Sequence, residues 1–169
     1  EEKVLAILPF FHVYGMTTVL ILSIMKGHEM IILPKFDAIT TLKTIQKQKP
    51  TLFPGAPTMY IGLLNHPDIS KYDLSSIDAC ISGSAALPVE VQEKFEKLTG
   101  GKLVEGYGLT ETSPVTHANL LWNDKRVKGS IGLPWPSTEA AILSSETLEP
   151  LPPGEVGELA IRGPQVMRG

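Results

Sequence analysis

Residues 4–25 carry no charged side chain. A run of that length could cross a bilayer, which takes about 20 apolar residues. It therefore forces a choice between a membrane span and a buried strand followed by a buried helix. Pro9, His12 and Gly15 interrupt the run near its middle. Residues 4–8 are continuously apolar and end at Pro9, the pattern of a strand buried on both faces. Residues 13–25 read as a buried helix stopped by Lys26-Gly27, and residues 30–33 return at once to an apolar run. Strand, turn, helix and strand is the preferred reading, so no transmembrane span is expected. A membrane-embedded protein built on residues 4–25 is the alternative, which solubility without detergent would dismiss.

The alternation then repeats. Asp37 is placed to cap a helix reaching about Gln48, with Ile39, Leu42 and Ile45 on one face, and Pro50 stops it. Residues 51–53 read as a short strand, 54–57 as a Pro-Gly turn and 58–64 as a helix. Residues 77–81 read as a strand. Pro88 opens a helix that reaches Leu98, Gly100-Gly101 ends it, and residues 102–105 form the next strand. This order predicts an α/β fold with a largely parallel sheet covered by helices on both faces. Beyond residue 128 the texture changes. Residues 129–134, 139–143 and 157–161 read as short strands between Pro- and Gly-rich turns such as Pro152-Pro153-Gly154. Two units are expected: an α/β subdomain over 1–128 and the start of a β-rich, barrel-like subdomain over 129–169.

Composition narrows the function. The 169 residues are 43% hydrophobic and 20% charged, an ordinary globular balance that argues against disorder. The net charge of −3 and the lack of a basic cluster argue against nucleic-acid binding. Cys80 is the one cysteine, so no internal disulfide or Cys-rich metal site is possible. The four histidines show no metal-ligand spacing. A cytoplasmic setting fits, with peripheral association at a membrane as the alternative. Trp122 and Trp135 read as packing residues.

In open parallel sheets, ligands bind beyond the carboxyl ends of the strands. Four unusual turns fall there: residues 9–12, 54–57, 82–88 and 106–111. The last is the richest. Gly106 and Gly108 flank Tyr107, and Thr110, Glu111 and Thr112 follow. Together they can offer a flat stacking face, hydrogen bonds to phosphate and a hard oxygen ligand for Mg²⁺. The plainer reading is a strand, a glycine turn and a Thr N-cap opening a helix.

Tyr107-Gly108-Leu109-Thr110-Glu111 resembles the signature of the acyl-adenylate-forming (AMP-binding) superfamily: acyl-CoA synthetases, luciferases and peptide-synthetase adenylation domains. The resemblance extends along the chain. Leu8-Pro9-Phe10-Phe11-His12 looks like the aromatic-His segment beside the acyl pocket, and residues 54–59 look like the small-residue turn lining the acyl chain. Residues 82–88 look like the Gly/Ala-rich loop touching adenine and acyl group, with Ser84 where the family often has a second glycine. Gly157-Glu158-Leu159 and Arg162-Gly163-Pro164 resemble a later structural motif. Residues 105–114 and 129–139 are worded most like long-chain fatty-acid–CoA ligases.

The resemblance implies roles. Gly83, Ser84, Ala85, Gly106, Tyr107, Gly108 and Thr110 would bind ATP and AMP, and Phe11, His12, Gly55, Ala56, Gly83 and Gly108 would line the acyl substrate. Thr110, Glu111 and His12 would be catalytic, with Glu111 the Mg²⁺ ligand. ATP and a fatty acid would give acyl-adenylate and pyrophosphate, and CoA, as co-substrate, would then displace AMP. The family's phosphate loop, ribose-binding Asp, hinge and catalytic Lys have no counterpart in these residues. An internal fragment of the large N-terminal domain, inactive alone, is therefore expected. A non-catalytic nucleotide- or lipid-binding α/β module is the alternative.

Overall fold

In the computed structural model, which describes residues 2–121 and 125–169, the uncharged run divides at Pro9. Before it lies strand β1 (Lys3–Ala6), buried from Val4 onward. After it the chain winds as a π-helix over Gly15–Ile21, tightens into helix α1 (Leu22–Lys26) and stops at Gly27 in the left-handed conformation. One face packs on the sheet, where Val19 joins Val4, Ala6 and Leu8 in an apolar cluster. The opposite face leaves Ile21, Leu22, Ile24 and Met25 exposed. A helix buried all round was the expectation. The helix is buried on one side only: Val19 joins that cluster, and no described residue covers the opposite side. No helix there is long and apolar enough to cross a membrane.

Strand β2 (Glu29–Ile32) runs parallel to β1, with Lys3 opposite Glu29. Beyond β1 lies the extended segment 51–55, in isolated parallel bridges rather than a full strand. It joins β1 through Leu5 N–H to Leu52 O (2.8 Å) and the next strand through Phe53 N–H to Ala79 O (3.0 Å). Helices α2 (Ala38–Gln48) and α3 (Pro57–Leu64) flank this segment in sequence. Asp37 caps α2 as expected, its Oδ1 accepting the Thr40 N–H at 2.9 Å. Strand β3 (Ala79–Ser82), helix α4 (Val89–Thr99) and strand β4 (Lys102–Gly108) follow, with β3 and β4 parallel. The parallel order is β2, β1, 51–55, β3, β4. Phe53, Tyr60 and Phe95 stack edge to face at its centre, with centroids 5.2 and 5.0 Å apart. Leu5, Leu42, Leu63, Ile77 and Leu103 close around them.

The sheet then reverses. Strands β5 (Val115–Ala118) and β6 (Leu133–Pro134) add to β4 in antiparallel sense. Strands β7 (Glu139–Leu143) and β8 (Glu158–Arg162) form a separate antiparallel ribbon, with no closed barrel among the described residues. Trp122 lies outside the described residues. Trp135 is half exposed beside β6 rather than packed away.

A partly buried ion pair ties the loop before β6 to α4. Glu96 pairs with Arg126 at 2.6 Å, their side chains 16% and 14% exposed. Glu96 also accepts the Leu103 N–H at 2.9 Å. Burial pushes this carboxyl up, but the Arg126 guanidinium and the Leu103 N–H more than offset it, leaving the pKa below the ordinary carboxylate value. Removing one partner of a desolvated pair strands the other. Glu96→Ala should therefore lower stability by about 2 kcal/mol, read as a lower melting temperature. Glu90→Ala, which breaks the exposed pair with Lys94, should leave the melt nearly unchanged.

Candidate functional site

Because β1, 51–55, β3 and β4 run parallel, the turns that follow them emerge at one edge. A cleft of about 300 Å³ opens there. His12, Gly83, Ser84, Gly106, Tyr107, Gly108, Thr110 and Glu111 line it, all of them marked from the sequence. Gly55 is one segment removed from the lining, its carbonyl accepting the Gly83 N–H at 3.1 Å, and Ala56 follows it. Ala85 is exposed outside the lining, and Phe11 is 92% exposed, also outside it. Tyr14, Ile81, Pro114 and Val115 line the cleft without having been marked. Tyr14 sits two residues after His12, a signal that the reading of 13–25 as plain helix absorbed.

The cleft floor is a reversal of the chain. Strand β4 shifts register between Tyr107 and Gly108, and a 3₁₀ turn over Thr110–Thr112 leads back into β5. Gly108 must be glycine, because a Cβ there would lie 1.8 Å from the Pro114 carbonyl oxygen. Thr112 does not open a helix. Its buried hydroxyl accepts the Leu109 N–H at 2.9 Å and donates to Pro114 O at 2.6 Å, which folds the turn back. Thr110 and Glu111 are exposed, and their side chains have no partner among the described residues. A carboxylate and a hydroxyl are thus presented on a turn held by other groups.

Tyr14 forms the adjoining wall. Its hydroxyl donates to Ile81 O at 2.6 Å, and its backbone N–H donates to His12 Nδ1 at 3.2 Å. A Cβ at Gly83 would lie 3.0 Å from the Tyr14 ring, so this glycine makes room for an aromatic neighbour. Burial raises the Tyr14 pKa far above the ordinary phenol value, so the hydroxyl remains a neutral donor. Beneath Tyr107 lies the buried His117, its ring edge-on at 6.2 Å and its Nδ1 3.0 Å from Thr116 Oγ1. Burial lowers the His117 pKa, which favours the neutral ring.

Among the described residues no three His, Cys, Asp or Glu side chains group as a metal cage. Glu111 alone could serve a hard cation. That donor set suits Mg²⁺, which is commonly held by one or two carboxylates plus substrate phosphates. The cleft thus gathers an aromatic face, the hydroxyls of Ser84 and Thr110 and a single carboxylate, the groups that binding a nucleotide and its cation would call on.

The comparisons with known proteins agree with that class. The AMP-binding enzyme family matches residues 1–169, and the chain belongs to it. It is 68% identical over 168 residues to the long-chain-fatty-acid–CoA ligase of Bacillus subtilis (strain 168), covering 99% of this chain and 30% of that protein. A crystal structure of ATP-bound MatB from Rhodopseudomonas palustris superposes with a TM-score of 0.88 at 30% identity, over 100% of this chain and 33% of that one. An anthranilate–CoA ligase in complex with anthranoyl-AMP superposes at 0.89, also at 30% identity, over 98% of this chain and 32% of that one. The chain therefore spans roughly a third of the length of each of these three proteins.

The buried His117 gives the site a pH dependence. Unfolding lets this imidazole take a proton near its ordinary pKa of about 6.5, whereas the folded ring resists it. The unfolded state then binds more protons, so stability falls as pH drops from about 7 to about 5. His117→Gln should flatten that part of the fall in melting temperature measured against pH.

Proposed function

We propose that this chain is the central part of the large N-terminal domain of an ATP-dependent long-chain fatty-acid–CoA ligase. On this reading residues 1–128 are the subdomain carrying the ligand loops and 129–169 begin a β-rich one. The carrying observation is that the cleft, which carries His12, Thr110 and Glu111, adjoins a larger and more strongly apolar hollow. This hollow, of about 720 Å³, is lined by Ala118, Leu120, Leu133 and Trp135 and shares Ile81 with the cleft. A fatty acid has the same division, a carboxylate at one end and a long alkyl chain. The 68% identity to a long-chain ligase supports the same choice.

The roles follow from chemistry. Tyr107 offers its ring to adenine in the cleft that Gly106, Gly108, Gly83 and Ser84 line, with Ala85 exposed beside Ser84. Thr110 donates to phosphate. His12, its Nδ1 accepting the Tyr14 N–H at 3.2 Å, presents its other ring nitrogen to orient the substrate carboxylate. Of the residues that the resemblance assigns to the acyl substrate, Phe11, His12, Gly55, Ala56, Gly83 and Gly108, it is His12, Gly83 and Gly108 that line the cleft. Gly83 acts there by admitting the Tyr14 ring. Mg²⁺, held by Glu111, would neutralise charge on the phosphates. Acyl-adenylate formation of this kind relies on positioning and charge stabilisation. CoA thiol then displaces AMP. A cytoplasmic setting, with peripheral association at a membrane as the alternative, goes with this reading.

ATP–pyrophosphate exchange by the full-length protein tests this reading. Exchange should depend on long-chain fatty acids. Its absence, with ATP or fatty acid bound, would leave a binding module instead. Glu111→Gln should slow exchange by about 10²-fold. Ile81→Trp should narrow the passage between cleft and hollow. Preference should then move to shorter acids, graded by about 0.8 kcal/mol per excluded methylene. Equal loss at every chain length would contradict the assigned path.

A further inference from the structure

The turn carrying Glu111 is held from the far end of the chain. The backbone N–H of Met167 donates to the Glu111 carbonyl oxygen at 2.8 Å. Met167 is 56% exposed, so the contact rests on its N–H rather than on packing. The other bonds that close the Glu111 turn come from within residues 109–114: Leu109 N–H to Pro114 O, Thr112 N–H to Leu109 O, and the Thr112 hydroxyl. Such bonds fix the turn's shape, and the β4–β5 pairing beside it fixes its base, but neither reaches the Glu111 carbonyl.

Residues 163–167 are themselves anchored. Val166 N–H closes a turn onto Gly163 O at 3.2 Å. Gln165 Nε2 donates to Thr138 Oγ1 at 2.7 Å. Thr138 N–H donates to Trp135 O at 3.0 Å, and Trp135 N–H to Thr116 O at 2.8 Å in β5. The series returns to the strand that leaves the Glu111 turn, so the strap and the turn share one base.

We propose that residues 163–167 are a positioning strap for Glu111, with the Met167 N–H as its contact and Gln165 as its anchoring side chain. A hydrogen bond to the Glu111 carbonyl fixes the following peptide plane, and with it the direction in which the carboxylate leaves the backbone. Small misplacements of a positioned group carry large losses in a preorganised site. The inference rests on the proposed role of Glu111 as the ligand of a nucleotide-bound cation.

The test uses the full-length protein with Mn²⁺ as the metal and ATP as the nucleotide. Hydrogen–deuterium exchange of residues 109–115 reads the strap, and electron paramagnetic resonance of Mn²⁺ reads metal affinity. Met167→Pro, which removes the N–H, should speed exchange there and weaken Mn²⁺–ATP binding by about tenfold. Met167→Ala, which keeps it, should match wild type in both. Gln165→Ala should weaken binding by about threefold and decides the matter if the proline variant does not fold. Wild-type exchange and affinity in Met167→Pro, or in Gln165→Ala where that variant decides, would overturn the strap. Equal losses in Met167→Ala and Met167→Pro would overturn it too, since the side chain would then be responsible. A wild-type protein that binds no Mn²⁺–ATP would overturn the functional reading instead, and exchange at 109–115 would still decide whether the strap holds the turn.

Discussion

The carbonyl oxygen of Ile81 is where three parts of the chain are fixed to one another. It accepts the Tyr14 hydroxyl at 2.6 Å and the Gly55 N–H at 3.1 Å, and the Tyr60 hydroxyl lies 3.2 Å away while donating to Phe53 O at 2.8 Å. Buried donors of this kind are costly to leave unpaired, so the turn after β1, the segment 51–55 and the end of β3 are held at one level. Both neighbouring glycines reflect the same constraint. A Cβ at Gly55 would lie 3.0 Å from the Tyr60 hydroxyl, and a Cβ at Gly83 would lie 3.0 Å from the Tyr14 ring. Without that common level the loops after the strands would not share a cleft.

The cleft is built so that its charged group is presented rather than used internally. Thr112 and backbone carbonyls absorb the hydrogen bonding of the turn, and Glu111 is left outward. On the proposed reading, a polyphosphate would approach a carboxylate of like charge. Two anions a few ångströms apart repel strongly in a partly desolvated cleft. A divalent cation between them turns that repulsion into attraction, which links nucleotide binding to metal binding. The neutral His117 and Tyr14 nearby add no competing charge.

Much of the fold was legible in the sequence because its signals are local. Continuous apolar runs marked β1, β2 and β3, Asp37 marked the start of α2, and Gly27 and Gly100 marked helix ends in the left-handed conformation. Residues whose structure depends on distant partners were not legible. Val115-Thr116-His117-Ala118 becomes a strand because the turn at 109–114 returns it against β4, which no short-range pattern states. The π-helical stretch Gly15–Ile21 has no propensity signature, and the exposed side of α1 reads in sequence like core. At the site, the glycines and polar residues of 106–111 were conspicuous. Tyr14 was hidden in an aromatic and aliphatic run, and the contact from Met167 could not be inferred from residues so far apart.

That last contact also orders events during biosynthesis. A nascent chain emerges from its N-terminus first and begins folding as it does. The parallel pairings from β1 to β4 and the return into β5 need nothing beyond Ala118. The hydrogen bond onto Glu111 must await Met167. A partly synthesised molecule can thus own the parallel strands, their return strand and an open cleft before the strap reaches its acidic turn. On the proposed reading, a fully held metal ligand would therefore come later in synthesis than the strands and the cleft it serves.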